Sequence, residues 1–264
     1  MRLRYCLMLA VALAGGPSTA SAAEQAGPAD EGEFAALQYK DATGATLLYR
    51  LLKPGPTAAE QKAPLVVFLH GAGERGSDNK AQLTHGREMM LIAAKKYGAF
   101  VLVPQCPGGE KWVDVDWGKS EHKMPEKPAQ PMRLLVELIA KLQAQYPIDT
   151  DRLYVMGLSM GGYGTWDTIQ RYPVMFAAAV PICGGGDETQ AQRIAKVPVW
   201  AFHGGKDTAM PVSRSRNMIN AIKAAGGEPK YTEYPEVGHF AWVPAFKDPE
   251  MLKWLFAQKR PAKK

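Results

Sequence analysis

Ser159 stands between two glycines in Gly157-Leu158-Ser159-Met160-Gly161, and the chain changes character there. Leu153 to Met156 suit a strand buried on both faces, and a helix-compatible segment follows through Trp166. A sharp strand-to-helix turn of this G-x-S-x-G kind lifts a serine hydroxyl above a sheet, where it can act as a nucleophile. In such a turn the residues two before and two after the serine come close together, so side chains at Gly157 and Gly161 would clash. Five-residue matches also occur in ordinary Gly-Ser-rich turns. A base, an acid and an oxyanion-binding loop must therefore appear in matching context.

Leu65 to Leu69 form a continuous apolar strand that ends in His70-Gly71-Ala72-Gly73. A His-Gly-x-Gly loop after a strand can place a backbone N–H opposite the nucleophile, so Ala72 and Met160 are the candidate oxyanion donors. Asp207 follows the run Val197 to Phe202, and His239 follows Tyr231 to Tyr234. Both fall where a sheet presents its carboxyl ends and gathers residues into one crevice. The order Ser159, Asp207, His239 differs from the orders of chymotrypsin-like and subtilisin-like enzymes. His239 would take the serine proton and return it to a leaving group, while Asp207 would fix the imidazole tautomer. The plain alternatives are a loop histidine without a role and an aspartate that caps the next helix, with Asp187 and Glu236 as substitute acids.

These motifs resemble the α/β-hydrolase superfamily. The chain is similar in particular to exported single-domain esterases, namely feruloyl or acetyl esterases and depolymerase-like or prolyl-oligopeptidase-like hydrolases with a GxGERG loop, here Gly71 to Gly76. The resemblance covers nearly all of the chain beyond its first residues. It implies a mostly parallel central sheet with helices on both faces, and a serine carboxylic-ester hydrolase working through an acyl-enzyme without metal or organic cofactor. Feruloyl or acetyl esters of polysaccharides, or related small esters, are the implied substrates. An exported peptidase, a polyester depolymerase and a non-catalytic binding protein of the same fold are the rivals. The peptidase is disfavoured because its gating propeller has no room in this chain.

Aromatic faces that could stack on such a substrate are Trp112, Trp117, Tyr163 and Trp242, each of which could equally pack the core. Arg75 either helps Glu74 hold the loop as an ion pair or meets a substrate carboxylate. His70 and His203 read as strand-end residues that stabilise turns, and His85 and His122 as surface or lid residues. Asp78 can cap the helix that follows it.

The elements that must position these groups alternate. Runs 34–40 and 45–52 around Gly44 predict an N-terminal antiparallel hairpin. Further strands are expected at 65–69, 99–103, 153–156, 176–182, 197–202 and 231–234, with helices at 80–97, 131–146, 212–225 and 244–256. Alternation of this kind requires right-handed crossovers and a parallel sheet covered on both sides. Residues 104–131 form a long loop with several prolines, read either as a substrate-facing lid or as a segment packed on the core.

The start of the chain, with Arg2 and Arg4, an apolar run from Cys6 to Ala14 and Ala20-Ser21-Ala22, reads as a secretory signal peptide cleaved after Ala22 or Ala23. Residues 23–33 then form a disordered start, 34–258 a single domain, and 259–264 a basic tail. The protein is expected to be secreted or periplasmic, without stable membrane insertion. Among 264 residues, 32 are basic and 26 acidic. Losing Arg2 and Arg4 leaves 30 against 26, a net +4 with four basic residues in the tail, so no nucleic-acid face is expected. Cys106 and Cys183 follow strands about three spacings of ~4.8 Å apart and are expected to be free, partly buried thiols. No residue pattern points to a metal, and none fixes an oligomeric state.

Overall fold

Apolar residues that alternate along one strand separate two layers of helix. In β3 (Ala63–Leu69), Leu65, Val67 and Leu69 face one cluster while Val66 and Phe68 face the other. The computed structural model describes residues 33–55 and 62–260. The expected signal peptide, its cleavage site and most of the expected disordered start lie outside the described residues.

Among the described residues, eight strands form one sheet in the order β1-β2-β4-β3-β5-β6-β7-β8. The remaining strands are β1 (Phe34–Lys40), β2 (Thr46–Leu52), β4 (Phe100–Gln105), β5 (Ile148–Leu158), β6 (Ala178–Ile182), β7 (Trp200–Gly204) and β8 (Lys230–Tyr234). The hairpin β1–β2 is antiparallel, β2 joins β4 antiparallel, and every later pairing is parallel. This is the α/β-hydrolase fold. One face carries α2 (Gln130–Gln145), α3 (Met160–Arg171), α4 (Ala191–Ile194) and α5 (Ser213–Ala224). The opposite face carries α1 (Arg87–Tyr97), α6 (Trp242–Lys247) and α7 (Pro249–Ala257). Among the described residues, no helix is long and apolar enough to cross a membrane.

Two expected helices are divided. The segment expected from residue 80 begins as a short 3-10 turn at Ala81–Leu83, and α1 starts only at Arg87 because Gly86 takes a left-handed φ of 78°. The Asp78 carboxylate accepts from the Lys80 and Ala81 N–H groups, so it caps that turn. Near the C-terminus, Asp248 is extended before Pro249 and separates α6 from α7, since a residue before proline avoids helical angles. At the last described residue, Arg260 is held by an ion pair to Asp151 at 2.9 Å and a hydrogen bond to the Val174 carbonyl. Cys106 and Cys183 are free, and both are fully buried rather than partly so.

Candidate active site

The turn at Ser159 carries φ 54° and ψ −118°, a conformation that costs a serine about 1–3 kcal/mol and persists only where the surroundings enforce it. Here β5 enforces it from one side and α3 from the other. A methyl carbon built on Gly161 would lie 2.0 Å from the Leu69 carbonyl oxygen, so α3 starts hard against the end of β3. The Ser159 N–H donates to the Ile182 carbonyl at 2.9 Å, tying the turn to β6.

Three strand ends supply the other polar groups. His239 Nε2 lies 3.0 Å from Ser159 Oγ, and its Nδ1 lies 2.8 Å from Asp207 Oδ2. An ionised carboxylate only accepts hydrogen bonds, so Nδ1 carries the proton and the Nε2 lone pair faces the serine hydroxyl. The other oxygen of Asp207 accepts from the Ala209 and Met210 N–H groups, both at 2.9 Å. Burial alone would raise this carboxyl, but hydrogen bonds from His203, His239 and the Met210 N–H outweigh it and hold the group well below the usual carboxylate range. Asp207 thus caps a local turn and orients the imidazole at once; α5 itself begins later, at Ser213. The substitute acids are engaged elsewhere. Asp187 accepts from Thr189 and Met124, and Glu236 pairs with Lys206 at the surface.

Behind the imidazole lies a buried polar network. His203 meets Ser215 Oγ at 2.7 Å and the Met210 carbonyl at 3.1 Å, and its Nε2 is 3.3 Å from Asp207 Oδ2. The Cys183 thiol donates to the His239 carbonyl at 3.2 Å, and burial pushes it up to about 12, so it stays protonated. Cys183, His203 and Asp207 bring possible ligand atoms within 4.8 Å of one another, the single such grouping among the described residues. Each of these atoms already serves a hydrogen bond in this network.

Ala72 opens a 3-10 turn, Ala72–Glu74, and Met160 opens α3, so neither N–H has a partner within its own helix. The loop runs directly against the serine: a carbon added to Gly71 would sit 3.6 Å from Ser159 Cβ. His70 holds the loop, its Nδ1 donating to the Gly71 carbonyl at 2.6 Å while Nε2 accepts from the Cys106 N–H at 2.9 Å. Arg75 braces it further through the carbonyls of Ala72 at 2.8 Å and Glu110 at 3.2 Å. The expected ion pair between Glu74 and Arg75 gives way to another arrangement, with Glu74 facing His85 at 3.5 Å.

The aromatic residues divide. Trp112 is fully buried, wedged against Gly164 of α3, with its indole N–H donating to the His70 carbonyl at 3.1 Å. Tyr163 is buried too, and its hydroxyl donates to the Trp117 carbonyl at 3.0 Å. Neither presents a face to a substrate, and Trp117 packs with Val113, Val115, Tyr163 and Met210. The 104–131 segment is therefore bonded down on the core, and the buried Arg214 guanidinium fastens it through the Ser120 carbonyl at 2.7 Å and His122 at 2.5 Å. Trp242 does stand beside the imidazole, edge-on with ring centroids 5.2 Å apart. Phe240 lies next to it, 62% exposed and 5.0 Å from Trp242. Its position directly after His239 was the available signal for a residue that pattern reasoning left out.

A model of the phospholipase/carboxylesterase family matches residues 57–251. A solved thermostable esterase superposes with a TM-score of 0.79 at 40% identity, covering 86% of this chain and 64% of its own. A poly(3-hydroxyalkanoate) depolymerase C of Paucimonas lemoignei is 29% identical over 145 residues, 52% of this chain and 31% of the depolymerase. A bifunctional acetylxylan esterase/xylanase of Neocallimastix patriciarum is 23% identical over 202 residues, 73% of this chain and 28% of that enzyme. The chain spans about a third or less of the length of these two enzymes.

Proposed function

The chain belongs to the phospholipase/carboxylesterase family of α/β-hydrolases, which makes it an esterase-type hydrolase, and we propose that its chemistry runs through Ser159 by way of an acyl-enzyme. The observation that carries this reading is the unbroken hydrogen-bond chain from Ser159 Oγ through His239 to Asp207. Ser159 Oγ attacks the ester carbonyl as His239 Nε2 takes its proton, and the N–H groups of Ala72 and Met160 receive the developing oxyanion. His239 then gives the proton to the leaving alkoxide, and water, activated by the same imidazole, releases the acid. Asp207 keeps the imidazole in the required tautomer and stabilises its cationic form. None of these steps calls on a metal or organic cofactor.

Acetyl or feruloyl esters of polysaccharides, or related small esters, are the substrates in this reading. The acetylxylan esterase relative supports the acetyl group, whereas the burial of Trp112 and Tyr163 removes two of the aromatic faces that argued for a feruloyl group. Polyester hydrolysis is a second reading, favoured by the exposed Phe240 beside His239 and by the depolymerase relative. The working unit is the single domain 34–258. The basic and then apolar start of the sequence supports export, which N-terminal sequencing of exported protein starting at Ala23 would test.

A fluorophosphonate probe should label Ser159 in folded protein. A parallel panel of p-nitrophenyl esters, methyl ferulate, acetylated xylan and a peptide should show ester turnover without peptide cleavage. Folded protein that leaves Ser159 unlabelled would overturn the catalytic reading.

A further inference from the structure

Among the described residues, four large apolar side chains are conspicuously exposed: Ile92, Val174, Phe240 and Val243. Three of them gather on one side of His239. Ile92 and Val243 line a groove of about 650 Å³ between α1 and the pair α6–α7, together with Met89, Trp242, Phe246 and Leu252, and the groove also carries the charged Arg87, Glu88, Lys96, Lys247 and Asp248. Phe240 stands at its lip, in contact with both Trp242 and His239. Clustered exposed apolar surface marks a binding site far more often than isolated residues do.

The inner end of the groove places it relative to the reacting atoms. Trp242 there is edge-on to His239, and His85 stands 5.5 Å from Trp242 and 3.5 Å from Glu74 of the oxyanion loop. The groove therefore ends against Trp242 and His85, one side chain away from the imidazole and from that loop. A tetrahedral carbon bonded to Ser159 Oγ directs its oxyanion at Ala72 and Met160. Its leaving oxygen must come within hydrogen-bond reach of His239 Nε2. The acyl substituent takes the remaining direction, away from both. A groove on the imidazole side is thus in line with the alcohol portion of the ester.

Resting on the esterase reading above, we propose that this groove binds the alcohol portion of the substrate and selects an apolar one. An aliphatic or aryl alcohol, or the hydroxyl-terminal side of a polyester chain, would lie along the exposed Ile92 and Val243 and the neighbouring Met89, Phe246 and Leu252, clear of the charged side chains that share the groove. The apolar lip at Phe240 extends the same surface beyond the groove.

Two ester series separate the alcohol side from the acyl side. With ethyl, butyl and hexyl acetate, kcat/KM should rise at least about tenfold across the series, since about fourfold is available for each methylene removed from water. Ile92→Glu and Val243→Glu should each reduce that rise to about threefold or less, while the ratio of ethyl hexanoate to ethyl acetate stays as in the parent. Val174→Glu, an exposed apolar position away from the groove, should keep the full rise. Turnover that is flat across the alcohols, or a rise untouched by both groove variants, would overturn the groove while leaving the esterase reading standing. Equal losses in the acyl series would overturn it too. Folded protein that turns over none of these esters and leaves Ser159 unlabelled would overturn the esterase reading, and the groove with it.

Discussion

Gly157 and Gly161 approach so closely that a methyl carbon built on Gly157 would lie 2.4 Å from the Gly161 carbonyl oxygen. The contact is backbone against β-carbon, which no rotamer change relieves. Gly157→Ala and Gly161→Ala should therefore each destabilise the protein by about 3 kcal/mol or more. For a domain of this size that is a fall in Tm of roughly 6–12 °C. Thermal unfolding checks it: an unchanged Tm would mean that the strand and the helix can separate at no cost, and that the turn is not enforced by this packing.

Ser159→Ala is a different kind of change. Alanine keeps the β-carbon, and the N–H to Ile182 bond does not involve the hydroxyl. The Tm should stay within a few degrees of the parent, while ester turnover falls by about 10⁵–10⁶-fold, as for other members of such a unit. Residual turnover within a hundredfold of the parent would place the nucleophile elsewhere.

The extent to which these features were legible in sequence follows from the range of the forces involved. The turn at Ser159 was legible because its requirements are local: two glycines, an apolar run before, a helix after. The mostly parallel sheet was legible from the alternation of strands and helices, and the His-Gly-x-Gly loop because it ends a strand, and strand ends converge in a parallel sheet. What Trp112 and Tyr163 touch was not legible, because a long loop can present its own ring, or leave open a ring on the helix beneath it, to solvent or to the core, and only tertiary partners decide. For Trp112 that partner is the carbonyl of His70, 42 residues away in sequence. Arg214 is a similar case: a charged residue on a helix reads as surface, yet it is buried under the 104–131 segment. The groove beside Trp242 joins α1 to α6 and α7, which no local pattern connects.

Asp207→Asn tests the acid. An asparagine there can turn an N–H toward His239 Nδ1, which favours the tautomer whose proton sits on Nε2 and leaves the serine without a base. Turnover should drop by about 10³–10⁴-fold with little change in KM. Near-parent turnover would transfer the role away from Asp207, despite its 2.8 Å bond to the imidazole.

Stability should fall with pH in a window set by buried histidines. Burial is the chief cause that pushes the His70 imidazole down to about 4, and burial followed by Arg214 does the same for His122. Above the ordinary histidine pKa of about 6.5, both folded and unfolded forms are neutral and pH has no effect through these groups. Between about 6.5 and 4 the unfolded chain takes up protons that the fold refuses, so stability declines as pH falls. For His70, nearly fully enclosed, the total is on the order of 3 kcal/mol across that window. Asp207, held low, keeps its contribution through this range and loses it only at more acid pH. Denaturant unfolding between pH 7 and 4.5 measures the decline. His70→Asn should flatten it, at the cost of a looser oxyanion loop, and His122→Asn should flatten it less. A pH-independent midpoint in the parent protein, or a slope that survives both substitutions, would refute the assignment to these two imidazoles.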